Sequence, residues 1–350
     1  MAVKVQRIGV IGATSLLGKE LSEELGESTL SAAELVLLDA EQAAGQLAPA
    51  GDEASFIQRL TSSSFEGLDF AFFAGTPAVT KEHWQSARRA GATIVDLTDA
   101  LEEEPTVLVR APWVRSVLVT DGGKPAAMPD LNTAAVVSAD AVALMLALAV
   151  GRIQAKISVT AVAATVMEPA SEFGREAMDE LHQQTVSLLS FHELPREQYD
   201  AQVAFNLLPA VGQEAKIRTA DLEPRIRRHY AAVSQGVLPP LDLQIIYSPL
   251  FHGHTASVLV ELRTPCTIAE VEAALAGEHI EVVTEESDPP SNLSASGQRG
   301  VLARVRSASG ESSGRRFWLW LATDNLKLAA ANAIACAVEL RRLQPQGKVQ

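Results

Sequence analysis

The sequence is poor in cysteine, and the two thiols it has come late. Its 350 residues include Cys266 and Cys336, and none of the first 265 positions is a cysteine. Two widely separated thiols provide neither a disulfide framework nor a metal-ligand pattern, and they are typical of a reducing compartment. We therefore expect a cytoplasmic protein with no metal site.

Positive charge and long apolar runs are also scarce. Lys and Arg total 29 against 43 Asp and Glu, which gives a formal net charge of −14. Such a chain is poorly suited to nucleic acid or to an anionic membrane surface. The nearest approach to a membrane span, which needs about 18 apolar residues, is 133–150, but Ser138 and Asp140 interrupt it. The first residues pass directly into a strand pattern, so no signal peptide is expected.

The N-terminal segment has the pattern of a nucleotide-binding unit. An apolar strand over residues 5–11 leads into the turn GVIGATSLLG at 9–18, and an amphipathic helix follows to residue 25. In such a turn, glycines let backbone N–H groups approach a pyrophosphate at the helix N-terminus. The spacing is looser than Gly-x-Gly-x-x-Gly, and a turn that only packs a strand on a helix remains an alternative.

Asp39 ends the second predicted strand, residues 35–38. An acid at this place typically binds a ribose 2′-OH and repels a 2′-phosphate. Glu41 and Gln42 follow, with no Lys or Arg beside them. A bound dinucleotide is therefore expected to be NAD rather than NADP, and a solvated loop acid is the alternative.

Strands and helices then alternate, which predicts a mostly parallel, doubly wound sheet. Strands are expected at 69–73, 92–97 and within 107–119, and a helix from Pro77 or Thr80 to Ala90. A long apolar helix is expected over 133–150, with residues 130–132 exposed at its N-terminus. Residues 156–322 indicate a mainly antiparallel sheet with helices on one face. We predict a dinucleotide-binding domain, 1–132 with a closing helix at 325–350, and an α+β domain, 133–324.

Several motifs, in order, resemble the aspartate-β-semialdehyde dehydrogenase family. The turn at 9–18 is similar to the family's opening GxxGATGxxG, and residues 73–75 to its second nucleotide contact region. Later segments at 178–185, 204–209, 253–255 and 324–330 (MDELHQQT, AFNLLP, GHT and DNLKLAA) also resemble family motifs. The resemblance implies a Rossmann-type domain, a substrate and dimerisation domain, and a nicotinamide cofactor held by Gly9, Gly12, Thr14, Ser15, Leu16, Leu17, Asp39, Gly75 and Asn325.

The resemblance also implies a reaction, the reductive dephosphorylation of an acyl phosphate to an aldehyde. A Cys thiolate attacks the acyl carbon, a His handles the proton, hydride adds to the thioester, and phosphate leaves. His254 matches the family's base, and Lys216 matches a lysine on the phosphate side. A His254 kept for strand-end packing, or solvated next to His252, is the alternative.

The sequence departs from the family at the positions that matter most. Leu131 stands in place of the nucleophilic Cys, and Tyr247, seven residues before His254, replaces the Arg for the substrate carboxylate. Glu102 replaces the Arg for the phosphate. The family's Gln that follows the first strand of the second domain has no counterpart in 157–174.

These departures predict a non-catalytic or chemically altered paralogue that keeps the nucleotide-binding fold. Loss of the nucleophile alone costs on the order of 10⁶ in rate in a serine protease. A homodimer is expected, built from a self-paired sheet and the 133–150 helix, and pairing with an active paralogue is a further option. An NAD-dependent oxidoreductase whose substrate needs no thioester, or retained aspartate-semialdehyde dehydrogenase activity, remain alternatives.

Overall fold

The chain divides into two compact units. The computed structural model describes residues 6–31, 33–51, 53–118, 128–130, 132–284, 288–308 and 314–342. The first unit comprises residues 1–112, 125–139 and 329–350, and the second comprises 113–124 and 140–328. The last helix begins in the second unit, and from residue 329 it belongs to the first.

A seven-stranded, wholly parallel sheet forms the centre of the first unit. Its elements are β1 (Arg7–Ile11), α1 (Leu16–Gly26), β2 (Glu34–Asp39), β3 (Leu47–Ala50), β4 (Glu53–Phe56), β5 (Gln58–Arg59), β6 (Phe70–Phe73), α2 (Pro77–Arg89), β7 (Thr93–Asp96), β8 (Val107–Arg110) and β9 (Ala135–Ser138). The strand order is β5-β2-β1-β6-β7-β9-β8, and β3 and β4 form a separate hairpin. All four residues of β6 are buried, as expected for a parallel sheet covered on both faces. The prediction of a parallel, doubly wound sheet is confirmed.

Local signals set where the helices of this unit begin. Thr76 caps α2 by accepting a hydrogen bond from the Val79 N–H, and Pro77 occupies the first helical position, where its missing N–H costs nothing. Arg88 and Arg89 in the last turn are favourably placed at the negative end of the helix dipole. The helix predicted from Pro77 to Ala90 is confirmed within one residue.

The helix predicted over 133–150 is wrong in its first part. Residues Ala135–Ser138 form β9, between β7 and β8 in the sheet. Helix α4 (Ala141–Gln154) begins only after Asp140, whose Oδ1 accepts from the N–H groups of Val142 and Ala143. A short apolar run fits a buried parallel strand as well as a helix, and periodicity alone cannot separate the two. Asp130 and Asn132 therefore lie in a turn before a strand and not at a helix N-terminus.

The strand predicted within 107–119 is also too long. It ends at Arg110, and α3 (Pro112–Val117) follows. Pro112 cannot donate to a strand ladder, but it fits the start of a helix. Pro112 therefore marks the end of the strand, although apolar residues continue on both sides of it.

A six-stranded mixed sheet forms the second unit. Its elements after α4 are β10 (Val159–Glu168), α5 (Arg175–Leu189), α6 (Leu222–Ser234), β11 (Leu241–Tyr247), β12 (His254–Leu262), α7 (Ile268–Leu275), β13 (Ile280–Val282), α8 (Asn292–Ala295), β14 (Val301–Ser307) and β15 (Arg316–Thr323), followed by α9 (Asn325–Arg341). The order is β11-β10-β12-β15-β14-β13. Its central pairings are antiparallel, while β11 and β13 join the edges in parallel. The prediction of a mainly antiparallel sheet is confirmed, with two parallel edges added.

Helix α5 does not follow β10 directly. A single 3₁₀ turn, Ala170–Phe173, comes first, and Gly174 at φ +89° separates it from α5. Ser171 does not cap α5: its hydroxyl donates to Asn325 Oδ1, 3.1 Å away. The glycine allows a backbone conformation that other residues rarely adopt, so the turn and the helix take different directions.

Helix α4 is buried within the second unit itself. Residues 141–150 retain 7% of their exposure or less, and most retain none. The expectation that this helix would supply a dimer interface is therefore wrong, because a single chain already covers it. In the described part of the chain, no helix is both long and apolar enough to cross a membrane.

Candidate functional site

The glycine-rich turn of the first unit is built by close backbone approach. Gly12 has φ +85°, and a Cβ on it would lie 2.3 Å from the Cα of Gly75. A Cβ on Gly18 would lie 2.2 Å from the carbonyl oxygen of Gly12. Ser15 caps α1 by accepting from the Gly18 N–H at 2.8 Å, and its hydroxyl donates to the carbonyl of Ala74. The glycines are therefore required sterically, and the turn brings backbone, not side chains, to the edge of the sheet.

This geometry fits a bound pyrophosphate. The N–H groups of Leu16 and Leu17 lie in the first turn of α1, where a helix offers no internal acceptor for them. Free N–H groups and the positive end of the dipole together favour a phosphate. Gly9 was also expected to contact the cofactor. It lies inside β1, between β2 and β6 and three residues before Gly12.

Asp39 lies at the end of β2 with its carboxylate already engaged. Its Oδ2 accepts from both the backbone N–H and the hydroxyl of Thr14, each at 2.7 Å, and its Oδ1 accepts from the Ala40 N–H. The side chain is half-buried. A negative charge held here opposes a second anion at the same place, such as a 2′-phosphate.

Asn325 belongs to the second unit, at the start of α9. It is 1% exposed, and its Oδ1 accepts from the Gly253 N–H and the Ser171 hydroxyl. Its Nδ2 is buried with no hydrogen-bond partner in the described part of the chain. The side chain thus fixes the residue immediately before His254 and leaves one donor for another group.

The second unit buries His254 in a pair with a carboxylate. His254 begins β12 and Glu168 ends β10, and antiparallel pairing of these strands brings both ends together. The His254 Nε2 lies 2.7 Å from Glu168 Oε2, and the two side chains are 1% and 0% exposed. The alternative of a solvated histidine beside His252 is wrong.

Two further acids set the electrostatics of this pair. Burial alone would lower the pKa of His254, but the charge and hydrogen bond of Glu168, together with Glu172 and Asp140, raise it to about 9. Burial and the nearby Glu168 carboxylate raise the pKa of Glu172 to about 7. Glu172 Oε2 lies 3.7 Å from the same His254 nitrogen. The imidazole is thus held as a cation among carboxylates.

Asp140, the cap of α4, extends this network. Its Oδ2 lies 3.4 Å from an Arg225 nitrogen, and Arg225 lies 4.0 Å from Glu172. Its backbone N–H donates to His229 Nδ1 at 2.9 Å. The start of α4, helix α6 and the 3₁₀ turn therefore meet in one polar cluster.

Tyr247 lies beside this cluster. It ends β11 and is paired in register with Glu168. Its ring packs against Phe173 with centroids 5.9 Å apart, and it is 7% exposed. Burial raises the pKa of its phenol, which stays neutral at physiological pH. A neutral, packed ring cannot supply the charge of the Arg that the resemblance implied.

The other residues predicted for the substrate lie elsewhere. Lys216 is an exposed loop residue that pairs with Glu197 at 2.9 Å. Glu102 lies in a turn after β7, half-buried, in the first unit. Leu131 lies outside the described residues. Within the second unit, His254 and Tyr247 both lie beside Glu168, whereas the side chain of Lys216 is engaged by Glu197.

Neither cysteine is placed to act as the nucleophile. Cys336 is fully buried on α9, and burial raises the pKa of its thiol. Cys266 lies four residues beyond the end of β12, the strand that His254 begins. Eight residue steps along this strand span roughly 26 Å, so Cys266 is far from His254.

Sequence reasoning missed the carboxylates of the cluster. The family resemblance predicts a Gln after the first strand of the second domain, whereas that strand ends in Glu168 itself. The sequence does contain a signal for these carboxylates. Glu168 ends a strand rich in β-branched residues, and Glu172 follows it in a short turn. Asp140 was counted as an interruption of a helix, although it is the cap at the helix start.

Comparison with known proteins identifies the family. Residues 7–139 match the family described as "Semialdehyde dehydrogenase, NAD binding domain", and residues 150–328 match "Semialdehyde dehydrogenase, dimerisation domain". The chain belongs to the semialdehyde dehydrogenase family. It carries the nucleotide-binding domain of that family in its first half and the dimerisation domain in its second.

Relatives within this family align with this chain over nearly its whole length. The USG-1 protein homolog of Pseudomonas aeruginosa is 31% identical over 330 residues, which cover 93% of this chain and 95% of the relative. The aspartate-semialdehyde dehydrogenase of Rickettsia conorii is 26% identical, with 96% and 98% covered. The resemblance indicated by the motifs is confirmed.

Solved structures show the same fold. A probable aspartate-semialdehyde dehydrogenase from Pseudomonas aeruginosa has a TM-score of 0.84 at 28% identity, covering 97% of this chain and 99% of that chain. Aspartate semialdehyde dehydrogenase II of Vibrio cholerae, complexed with ASA, has a TM-score of 0.85 at 22% identity, covering 98% of this chain and 100% of that chain. The second likeness concerns the fold alone.

Proposed function

We propose that this semialdehyde dehydrogenase family member binds a dinucleotide but has lost the thioester chemistry. The observation that carries the proposal is the charge of His254. Its Nε2 lies 2.7 Å from the buried Glu168 carboxylate, and this acid together with Glu172 raises the pKa of His254 to about 9, so the imidazole is already protonated at neutral pH. A general base must be unprotonated to remove a proton.

The missing thiol supports the same conclusion. The family's nucleophile falls on Leu131, a hydrocarbon side chain, and Cys336 and Cys266 are buried or far along β12. Without a thiolate no thioester forms, and hydride has no activated acyl group to reduce. The acyl-transfer half of the reaction therefore has no attacking atom.

Charge at the substrate positions also opposes an acyl phosphate. In the second unit, Tyr247 replaces one cation of the family, and Glu168 and Glu172 add carboxylates beside His254. In the first unit, Glu102 replaces the other cation. An anionic substrate would face like charges, which is a means of rejecting a ligand. The second unit is therefore suited to a different ligand, or to none.

A nicotinamide dinucleotide fits the first unit. Close backbone packing at Gly12 and Gly18 sets the start of α1, where the free N–H groups of Leu16 and Leu17 suit a pyrophosphate, and Asp39 favours NAD over NADP. Bound there, the cofactor would supply hydride transfer. The chain's own contribution is to hold the pyrophosphate with the N–H groups of Leu16 and Leu17 and to exclude a 2′-phosphate at Asp39, whose carboxylate the Thr14 N–H already engages.

A cytoplasmic homodimer is the expected assembly. The matched dimerisation domain supports self-association, and both cysteines are free. Pairing with an active relative, and the division into 1–132 with 325–350 and 133–324, remain predictions.

Two assays on the purified protein test the proposal. Phosphate-dependent oxidation of aspartate semialdehyde, with an active enzyme of the family as positive control, should show no turnover above background. Titration of NAD and NADP, followed through the buried Trp84 of the first unit, should show binding with NAD preferred. Robust turnover would refute the loss of chemistry. Absence of binding at millimolar cofactor would refute the nucleotide site, and turnover of another substrate would favour an altered oxidoreductase.

A further inference from the structure

Three ligand-type side chains converge in the buried cluster of the second unit. One ligand atom each from Glu168, Glu172 and His254 lies within 4.8 Å of the others. They come from the end of β10, the 3₁₀ turn after it and the start of β12. Two of the three side chains are almost fully buried. The positions are fixed by sheet pairing and a short turn rather than by flexible loops.

The three side chains are close enough for one ion to contact them all. His254 Nε2 lies 2.7 Å from a Glu168 oxygen and 3.7 Å from a Glu172 oxygen. Ligands bound at about 2.0–2.1 Å in a tetrahedron lie about 3.3 Å apart. The two observed separations lie on either side of this value, so an ion would bind by replacing the hydrogen bond between His254 and Glu168 and drawing Glu172 closer.

An unsatisfied buried oxygen points to a missing ligand. Glu168 Oε1 is buried and has no hydrogen-bond partner in the described part of the chain, although Glu168 is 0% exposed. A buried carboxylate oxygen without a donor is costly. A cation bound by both oxygens of the Glu168 carboxylate would satisfy it.

The local charge also suits a divalent cation. Asp140, Glu168 and Glu172 offer three negative charges, and Arg225 brings one positive charge to the same cluster. A metal ion bound to His254 Nε2 would displace the proton of the imidazolium, and with the ring then neutral a charge of +2 balances the group. Buried charges persist when they are paired or coordinate a metal.

We propose that Glu168, Glu172 and His254 bind one Zn²⁺ ion in the second unit. A single imidazole with two carboxylates suits Zn²⁺, whereas Mg²⁺ and Ca²⁺ prefer oxygen ligands alone. Arg225 and Asp140 form the surrounding charged shell. This departs from the expectation, based on cysteine usage, that the protein has no metal site. It does not depend on nucleotide binding.

Calorimetric titration of chelator-treated, full-length protein with Zn²⁺ tests the proposal. All variants are made in a Cys266→Ser background, so that the half-exposed thiol cannot compete. We expect one ion per chain, bound more tightly as pH rises because the ligands must lose protons. Glu172→Gln and His254→Asn should each weaken binding by at least about 10–100-fold, the loss that even an outer partner of a metal ligand causes. Glu261→Gln, an exposed acid on the same strand as His254, is the matched control and should bind as the parent does.

Two readouts separate this site from adventitious binding. Zinc X-ray absorption should show nitrogen and oxygen ligands only, and a sulfur ligand would overturn the assignment. No heat of binding with Zn²⁺ in large excess, or binding that both site variants leave unchanged, would also overturn it. If His254→Asn fails to fold, Glu172→Gln decides, because its side chain keeps 25% of its exposure and loses only its charge.

Discussion

At the scale of single residues, the sequence predicted which side chain would matter but not what it would contact. His254 was identified from the motif at 253–255, and the structure places it at a buried strand start. Its partner Glu168 lies 86 positions away and is brought to it only by the pairing of β10 with β12. Contacts across such a separation depend on strand register, which local patterns do not specify.

Gly12 offers the sharpest test at this scale. Gly12→Ala should destabilise the protein by the cost of positive φ, about 1–2 kcal/mol, and by overpacking against Gly75, about 1–3 kcal/mol more. Urea unfolding measures the total, and the variant should also lose dinucleotide binding. Gly91→Ala is the matched control, because Gly91 has φ +90° and a Cβ added there would have no described atom within 4 Å. Equal losses in the two variants would contradict the close approach of Gly12 and Gly75.

At the scale of elements, the predicted ends of helices and strands were wrong where one apolar run continues from a strand into a helix. Residues 135–150 read as one helix, yet they contain β9, a capping Asp140 and α4. All of β9 and residues 141–150 of α4 are buried, so neither shows the alternation that would separate a strand from a helix. Helix α2, which has one exposed face, was predicted within one residue of its observed end at Arg89.

Helix α9 depends on a buried ion pair in the first unit. Arg110 at the end of β8 donates to both carboxylate oxygens of Glu339, at 3.0 and 2.8 Å, and both side chains are about 95% buried. Arg110→Met would leave that carboxylate unpaired and should cost about 3–5 kcal/mol in urea unfolding. The double variant Arg110→Met/Glu339→Leu should recover most of this loss. A single variant as stable as the parent would contradict the pairing.

A stacked histidine predicts a pH dependence in the second unit. His279 lies 3.6 Å from Trp113, ring centroid to ring centroid, at 8°. Burial lowers the pKa of His279, Arg152 lowers it further, and Glu278 opposes them. Because the folded-state pKa is depressed, this contribution to stability is present above about pH 6.5, the ordinary His value, and is lost as pH falls through the folded-state pKa.

We therefore expect His279→Phe to lose less stability than the parent between pH 7 and pH 5. Urea unfolding at several pH values measures this slope, with Trp113 fluorescence reporting on the stack. The matched control is His252→Phe, which changes a histidine in a turn outside the stack. If the parent and His279→Phe lose stability equally over this range, the stack does not favour the neutral ring.

At the scale of the whole molecule, motifs spread along the chain predicted the family and the order of its two folds. The same motifs could not predict assembly, because the helix expected at the interface is buried within one chain. Exposed apolar side chains lie instead at the end of α5 and after it, with Leu189 70% and Phe191 96% exposed. These residues lie within the matched dimerisation domain.

Sedimentation should therefore show a dimer at micromolar concentration. Leu189→Glu should raise the dimer dissociation constant by at least about tenfold, because a charge would be buried in an apolar interface. Leu47→Glu, at a position 63% exposed in the first unit, is the matched control and should leave assembly unchanged. A monomeric parent protein, or equal effects of the two variants, would contradict a dimer formed through the second unit.

The central claim, a family fold without covalent acyl chemistry, is tested most directly by intact-protein mass spectrometry. The protein is incubated with aspartate semialdehyde and NAD or NADP without phosphate, conditions under which a thiol enzyme would hold its acyl group. The account predicts the unmodified mass, while an active enzyme of the family gains the acyl adduct. An adduct of that mass on any side chain, formed only when cofactor is present, would contradict the claim.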